Sequence, residues 1–336
     1  MKTVNGKLKW GIIGCGDVCE VKSGPAFSKV PNSELVAVMR RDKEKAADYA
    51  SRHKVPRYYS DASELINDKE VNAIYIATPP SSHEAYLEES SKAGKPVYVE
   101  KPVTLNAESC ERMIQISRMY GNRASVAHYR RGLPLFNKVK SLIHEGVIGN
   151  VRLIDLRTLQ PADSKIVNQA GENWRIKPAV SGGGFFHDLS PHQLDILYWI
   201  FGAPRNVFAR SWNQAKRYAA PDMTIVNAVF DNPIKGNDSD VCLNGVWAFN
   251  LSTQATEDSC EIIGDKGLIR FAFFRKSVID LVTDSGSQTI ELDYPENIQL
   301  PMIDRVVRYF RGEGPNPCSL EEAMVMMKVI DQSLKN

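Results

Sequence analysis

The sequence predicts two architectures in series. Residues 1–127 form a doubly wound α/β domain on a parallel sheet, and residues 128–336 form an α+β domain on a large open, mostly antiparallel sheet. Three observations carry this. Strand-like and helix-like segments alternate in the first stretch, which makes βαβ units with right-handed crossovers. Gly14-Cys15-Gly16 stands directly behind the first strand-like run. Beyond residue 130, strand-like runs follow one another through Gly, Asn and Asp turns without helices between them, the pattern of an antiparallel sheet.

In the first domain the strand-like runs are Leu8–Ile13, Leu35–Met39, Ala73–Ala77, Val97–Val99 and Ala124–Ala127. They are apolar almost throughout, as in a sheet covered on both faces. Helical stretches at Lys43–His53, Ser82–Ala93 and Ala107–Tyr120 separate them. The second domain opens with a helix over Leu135–His144, stopped at Gly146, and a long strand over Val151–Leu159. Gly182-Gly183-Gly184 leads to a helix over Ser190–Ile200, with Pro191 in its first turn, where a missing N–H is tolerated. Six further strand-like runs follow: Val207–Trp212, Thr224–Phe230, Leu243–Phe249, Ser259–Ile263, Leu268–Phe274 and Thr289–Leu292. The chain then returns to helix.

The 336 residues are 43% hydrophobic and 24% charged, an ordinary globular composition with ample core for two domains. A net charge of +2 gives no electrostatic case for nucleic acid or an anionic membrane surface. No apolar run approaches the ~20 residues that span a bilayer. The first residues lack the apolar core of a secretory signal, so the expected location is the cytoplasm. Cys15, Cys19, Cys110, Cys242, Cys260 and Cys318 make no Cys-x-x-Cys pair, so they are expected to be reduced and to bind no metal.

Gly14-Cys15-Gly16-Asp17-Val18-Cys19 is a dinucleotide fingerprint with cysteine in the third glycine's place. The first glycine permits a tight turn, and the second lets a pyrophosphate approach the backbone and the helix behind it. Gly14, Gly16, Asp17 and Val18 are therefore expected at the cofactor. An acid at the end of the second strand would hold the ribose hydroxyls of NAD. Arg40 and Arg41 stand there instead, and a guanidinium suits a 2′-phosphate, so NADP(H) is favoured over NAD(H). Asp42 keeps NAD in play. Thr78-Pro79-Pro80 forces an extended exit from the Ala73–Ala77 run, and Thr78 and Pro79 are expected to line the cofactor. His83 either joins them or lies on the surface of an early helix turn.

Glu100-Lys101-Pro102 follows Val97–Val99, which puts a lysine on a stiff turn at the carboxyl end of a strand. Open α/β sheets bind their ligands there. Asp188 and His192 are four apart and would share one helix face. An aspartate beside an imidazole orients the ring and supports its cation, as a general acid/base requires. The competing reading makes Asp188 a helix cap and His192 a packed residue.

Together these segments resemble the glucose-fructose oxidoreductase/inositol dehydrogenase/MocA (Gfo/Idh/MocA) family. The matching stretches are Gly11-Ile12-Ile13-Gly14-Cys15-Gly16, Ala77-Thr78-Pro79-Pro80 with His83, and Gly94-Lys95-Pro96 leading to Glu100-Lys101-Pro102. Trp174-Arg175, and Gly182-Gly183-Gly184 through Asp188, His192 and Asp195, complete them. The resemblance implies a Rossmann domain, an open-faced second sheet, and hydride transfer between nicotinamide and a carbohydrate or polyol carbon. It implies that Lys101 hydrogen-bonds the reacting oxygen, that His192 is the acid/base and that Asp188 is its partner. Glu100, Trp174 and Arg175 are implied near the nicotinamide or substrate, Tyr129 and Arg131 near the substrate, and a cis bond before Pro102. The chain departs from the family at Cys19, at Arg40 and in His128-Tyr129-Arg130-Arg131.

Two other readings compete. A glycosidase can use tightly held NAD in a transient redox elimination, against which Arg40-Arg41 speaks. A nucleotide sensor can use the fold for binding alone, against which Lys101, Asp188 and His192 speak. Trp212, Trp247, Phe249 and Phe273 on the strands of an open sheet predict a homodimer or homotetramer formed through that face.

Overall fold

The computed structural model describes residues 3–162, 173–234 and 239–335. The chain divides into two compact units, Met1–Leu133 with Pro295–Met324, and Pro134–Tyr294 with Val325–Asn336. Among the described residues no helix is long and apolar enough to cross a membrane.

The first unit is built on β1 (Leu8–Ile13), β2 (Ser33–Met39), β3 (Arg57–Tyr59), β4 (Ala73–Ile76), β5 (Val97–Val99) and β6 (Ala124–Val126). Their order is β3-β2-β1-β4-β5-β6, all parallel, which is the doubly wound order. The connections carry α1 (Asp17–Val21), α2 (Lys43–His53), α3 (Ala62–Asn67), α4 (His83–Lys92) and α5 (Ala107–Met119). Trp10, Phe27, Tyr75 and Tyr98 form a chain of ring contacts through the core, with centroids 4.7–5.3 Å apart. The sequence pattern omits β3, a polar three-residue strand at the sheet edge with no fully buried side chain. The first unit also takes in helix α9 (Leu300–Arg311), far along the chain. Phe310 of α9 packs on Trp10 at 5.7 Å, and the Val4 N–H donates to the Phe310 carbonyl at 3.0 Å.

The second unit contains α6 (Pro134–His144), β7 (Val151–Leu159), α7 (Pro178–Ser181), α8 (Gly184–Phe201) and β8 (Arg205–Trp212). The strands continue with β9 (Met223–Asp231), β10 (Asp240–Ala248), β11 (Glu257–Gly264), β12 (Gly267–Phe271), β13 (Val278–Thr283) and β14 (Gly286–Glu291). The last helix, α10 (Leu320–Leu334), begins in the first unit and ends in the second. The sheet runs β14-β13-β12-β11-β7-β10-β9-β8, antiparallel except between β7 and β10. The six runs expected after α8 omit β13, although Ile279 and Leu281 alternate with Asp280 there as a half-buried strand requires.

Helix α8 corrects the sequence reading. It starts at Gly184 rather than Ser190, so Asp188 lies inside the helix and Pro191 in its interior. Gly182 (φ 92°) and Gly184 (φ 79°) turn the chain into it, a conformation that suits glycine. A Cβ at Gly182 would stand 2.4 Å from the His187 ring. Pro191 withdraws one N–H from the helix ladder, but α8 is buried along nearly all its length, and tertiary packing overrides the local break.

The aromatic residues expected on an open face are a second correction. Trp247, Phe249 and Phe273 are buried by this chain's own helices, and Trp212 is half-buried. Phe186 of α8 meets Trp247 edge-on at 5.0 Å, Phe185 meets Phe249 at 5.2 Å, and Phe136 of α6 stacks on Phe273 at 5.2 Å. Gln193 ties helix to sheet, accepting from the Trp247 indole at 2.6 Å and donating to the Thr158 hydroxyl at 2.7 Å. Strand register puts a different set on the other face. One row runs Val229, Cys242, Leu153, Ile263, Leu268, Val282 across six strands. Beside it runs a polar row, Asn227, Asn244, Asp155, Glu261, Arg270, Asp280, Thr289, several of whose members bond one another.

Candidate active site

Three loops leave the carboxyl ends of the neighbouring strands β1, β4 and β5, and each carries a sequence-predicted residue. After β1, Gly14 adopts φ 90°, and its N–H donates to the Met39 carbonyl at 2.9 Å. A Cβ on Gly14 would stand 2.7 Å from Thr78 Cγ2, so no other residue fits without displacing the β4 loop. A Cβ on Gly16 would meet nothing nearer than the Gly14 carbonyl oxygen at 4.0 Å. The first glycine is thus a packing necessity, while the second keeps open the space a pyrophosphate would occupy, and the residues present fit a dinucleotide. Cys19 replaces the third glycine without harm. It is fully buried and its carbonyl accepts from the Tyr49 hydroxyl at 2.8 Å. Burial raises both loop thiols, Cys15 up to about 11, so they stay protonated and unreactive. None of the six cysteines is in a disulfide.

Arg40 follows β2 and lies half-buried with its guanidinium 3.5 Å from the Cys15 carbonyl, above the glycine loop. Arg41 is exposed. Asp42 is spent as the N-cap of α2, where it accepts from the Lys45 N–H at 3.1 Å. That bond holds its carboxyl below the usual carboxylate range.

His83 is completely buried at the start of α4. Its Nε2 lies 2.7 Å from the Thr78 carbonyl and its Nδ1 3.0 Å from the Val103 carbonyl, so the ring bridges the loops after β4 and β5. Burial pushes the imidazole below its ordinary pKa, against the two carbonyls, which favour the cation. The surface placement of His83 is therefore corrected: the ring is a buttress between two loops.

After β5, the Lys101–Pro102 bond is cis and Lys101 is half-buried. Glu100 turns the other way and is 6% exposed. Its Oε1 accepts from the Tyr75 hydroxyl at 2.5 Å and from Gln299 Nε2 at 2.7 Å, and its Oε2 accepts from the Lys101 N–H at 3.1 Å. Its carboxylate thus faces protein donors rather than a ligand. Sequence reasoning overlooks Gln299, whose position 199 residues beyond Glu100 follows no periodicity.

Tyr129 and Arg131, expected near the substrate, lie in a buried turn after β6. Arg131 donates to Glu322 at 2.8 Å and to the Pro317 carbonyl at 3.1 Å, all within the first unit. Its charge is used inside the fold as a strut. The Tyr129 hydroxyl accepts from Arg130 at 2.5 Å.

In the second unit, Asp188 and His192 lie one turn apart on α8, both buried. The Phe274 ring meets His192 edge-on at 5.9 Å. Asp188 accepts from Arg175 Nε at 2.8 Å, and the Arg175 guanidinium lies 4.7 Å from the centroid of the Trp174 ring. Trp174 and Arg175 occupy a short 3₁₀ turn fixed by Asn173, which accepts from the Arg175 N–H at 3.3 Å. Arg175, expected near the nicotinamide, is thus the partner of Asp188. An aspartate next to a guanidinium is a fixed, charged acceptor one helical turn from an imidazole.

Comparison with known proteins agrees with this geometry. Residues 8–128 match the oxidoreductase family with an NAD-binding Rossmann fold, and residues 136–270 match the GFO/IDH/MocA C-terminal domain. Oxidoreductase P35 of Formosa agariphila is 39% identical over 328 residues, 97% of this chain and 98% of its own length. Inositol 2-dehydrogenase of Pseudomonas fluorescens is 26% identical over 270 residues, 78% of this chain and 74% of its own. Among solved structures, aldose-aldose oxidoreductase from Caulobacter crescentus complexed with glycerol shares the fold, with a TM-score of 0.84 at 20% identity over 98% of this chain and 96% of its own. With a glycine loop shaped for a dinucleotide and both halves matched, the chain belongs to the Gfo/Idh/MocA family of NAD(P)-binding oxidoreductases.

Proposed function

We propose that this enzyme transfers hydride between a nicotinamide and a carbohydrate or polyol carbon, with NADP(H) preferred. The observation that carries the reading is the convergence of the open Gly16, Thr78 and Lys101 at the carboxyl ends of three adjacent strands. A polyol or sugar substrate is supported by the name of the inositol 2-dehydrogenase relative and by the aldose-aldose oxidoreductase neighbour. Gly14, Gly16, Asp17, Val18, Thr78 and Pro79 would hold the dinucleotide, and when bound it supplies the hydride donor or acceptor. In oxidation, His192 takes the hydroxyl proton while Lys101 donates a hydrogen bond to the oxygen as negative charge develops. Asp188, held by Arg175, supports the His192 imidazolium. In reduction the proton moves the other way.

Arg40 would meet the 2′-phosphate, and Asp42 already accepts from the Lys45 N–H as the cap of α2, which supports the preference. Fluorescence titration is expected to show tighter binding of NADPH than NADH. Arg40→Ala should weaken NADPH by roughly ten- to a hundredfold, the worth of a charge-assisted hydrogen bond, and leave NADH nearly unchanged. Equal or tighter NADH binding by the unaltered protein overturns the preference. A polyol and aldose panel with the better cofactor then identifies the substrate class.

The enzyme assembles as a homodimer or homotetramer through the outer face of the second sheet. What supports this is the apolar row from Val229 to Val282, in which Leu153 is 36% and Val282 38% exposed. Size-exclusion with light scattering at micromolar concentration should give twice or four times the chain mass, and Leu153→Arg should shift it toward the monomer. A monomeric unaltered chain sinks this part of the proposal.

A further inference from the structure

Glu100 faces inward from the turn that carries Lys101, and three donors hold it. Tyr75 reaches it from β4, Gln299 from the segment before α9, and the third donor is the N–H of Lys101 itself. The Gln299 amide presents its NH₂ to the Glu100 Oε1, which sets the orientation of the side chain. Gln299 is completely buried and is itself held. Its main-chain N–H donates to the Lys22 carbonyl at 3.2 Å, and its main-chain carbonyl accepts from the Met302 and Ile303 N–H groups at 3.1 and 2.9 Å. Asn297 beside it donates to the Val21 carbonyl at 2.7 Å. One short segment of the first unit therefore grips both the end of α1, the helix that follows the glycine loop, and the carboxylate that clamps the lysine turn.

We infer that Gln299 is a positioning residue for catalysis, acting with Tyr75 through Glu100 to fix the direction in which Lys101 leaves its turn. This rests on the reading of Lys101 given above. Because Glu100 bonds the Lys101 N–H, any swing of the carboxylate rotates the peptide that sets the course of the lysine side chain. Gln299 limits that swing from one side and Tyr75 from the other. Small displacements of a reacting group are expensive in rate, on the order of a hundredfold for about 1 Å.

The test compares Gln299→Ala, Gln299→Met, Tyr75→Phe and Lys101→Ala in the full-length enzyme. The measurements are kcat and KM, NADPH affinity and thermal midpoint. Gln299→Ala and Tyr75→Phe should each lower kcat by about ten- to a hundredfold, with KM and NADPH affinity within about twofold. Gln299→Met separates hydrogen bonding from bulk. It fills nearly the same space but has no N–H to offer Glu100, so it should be about as slow as Gln299→Ala. A role in packing alone predicts Gln299→Met near the unaltered enzyme. The inference is overturned if folded Gln299→Ala keeps normal kcat, or if folded Gln299→Met does. Should Gln299→Ala fail to fold, normal kcat in Tyr75→Phe or in folded Gln299→Met overturns it equally. Near-normal turnover in Lys101→Ala removes the underlying reading as well, whereas loss there with normal Gln299 variants defeats the positioning role alone.

Discussion

Replacing Lys101 with alanine is expected to lower turnover by about a hundred- to a thousandfold while leaving the fold and NADPH binding intact. The magnitude is that of removing one preorganised donor to a developing oxyanion, about 2.7–4 kcal/mol of transition-state stabilisation. The fold should survive because the clamp beneath the turn uses the main-chain N–H of Lys101 and the side chain of Glu100, neither of which the substitution removes. A circular dichroism melt and a fluorescence titration establish that the variant is folded and loaded, and steady-state kinetics then reads the loss. Lys101→Arg keeps the charge but not the compact ammonium, so it should recover only part of the activity. Turnover near the unaltered level in the alanine variant ends the assignment.

His192→Ala should cost about a hundred- to ten-thousandfold in kcat, the usual range for a general acid/base. Asp188→Asn should cost less, and combining the two should be little worse than His192→Ala alone, because an aspartate that acts through the imidazole has nothing left to support once the ring is gone. Fully additive losses would show that Asp188 acts independently. The Arg175 contact gives Asp188 a second consequence: the asparagine leaves a guanidinium without its charged acceptor, so a lower thermal midpoint should accompany the kinetic loss.

The parts of this enzyme that could be read from sequence are those whose determinants are local. Helix α2 starts and stops as expected because Asp42 caps its first turn and Lys54, in the left-handed region, ends it. The glycine loop is recognisable because the strand before it and the helix after it are set by neighbouring residues. Lys101 belongs to the same class, its turn being written in three consecutive residues. What could not be read depends on partners distant in the chain. Arg131 becomes a strut because Glu322 meets it from 191 residues away, and Glu100 becomes a clamp because Gln299 does so from 199. Pro191 looks like a helix start, yet the burial of α8 on the second sheet carries the helix through it. The expectation of an aromatic open face failed for a related reason. Alternation along β10 fixes which residues share a face, while the packing of α6 and α8 decides which face is covered.

The His83 bridge has a consequence for the two loops it joins. A neutral imidazole carries a single N–H, and this ring faces a carbonyl at each nitrogen. Either tautomer donates to one loop and turns a lone pair toward the other, so the loops after β4 and β5 compete for one proton. The loop expected to line the cofactor and the turn that carries Lys101 are thus joined by a contact that cannot be fully satisfied on both sides at once.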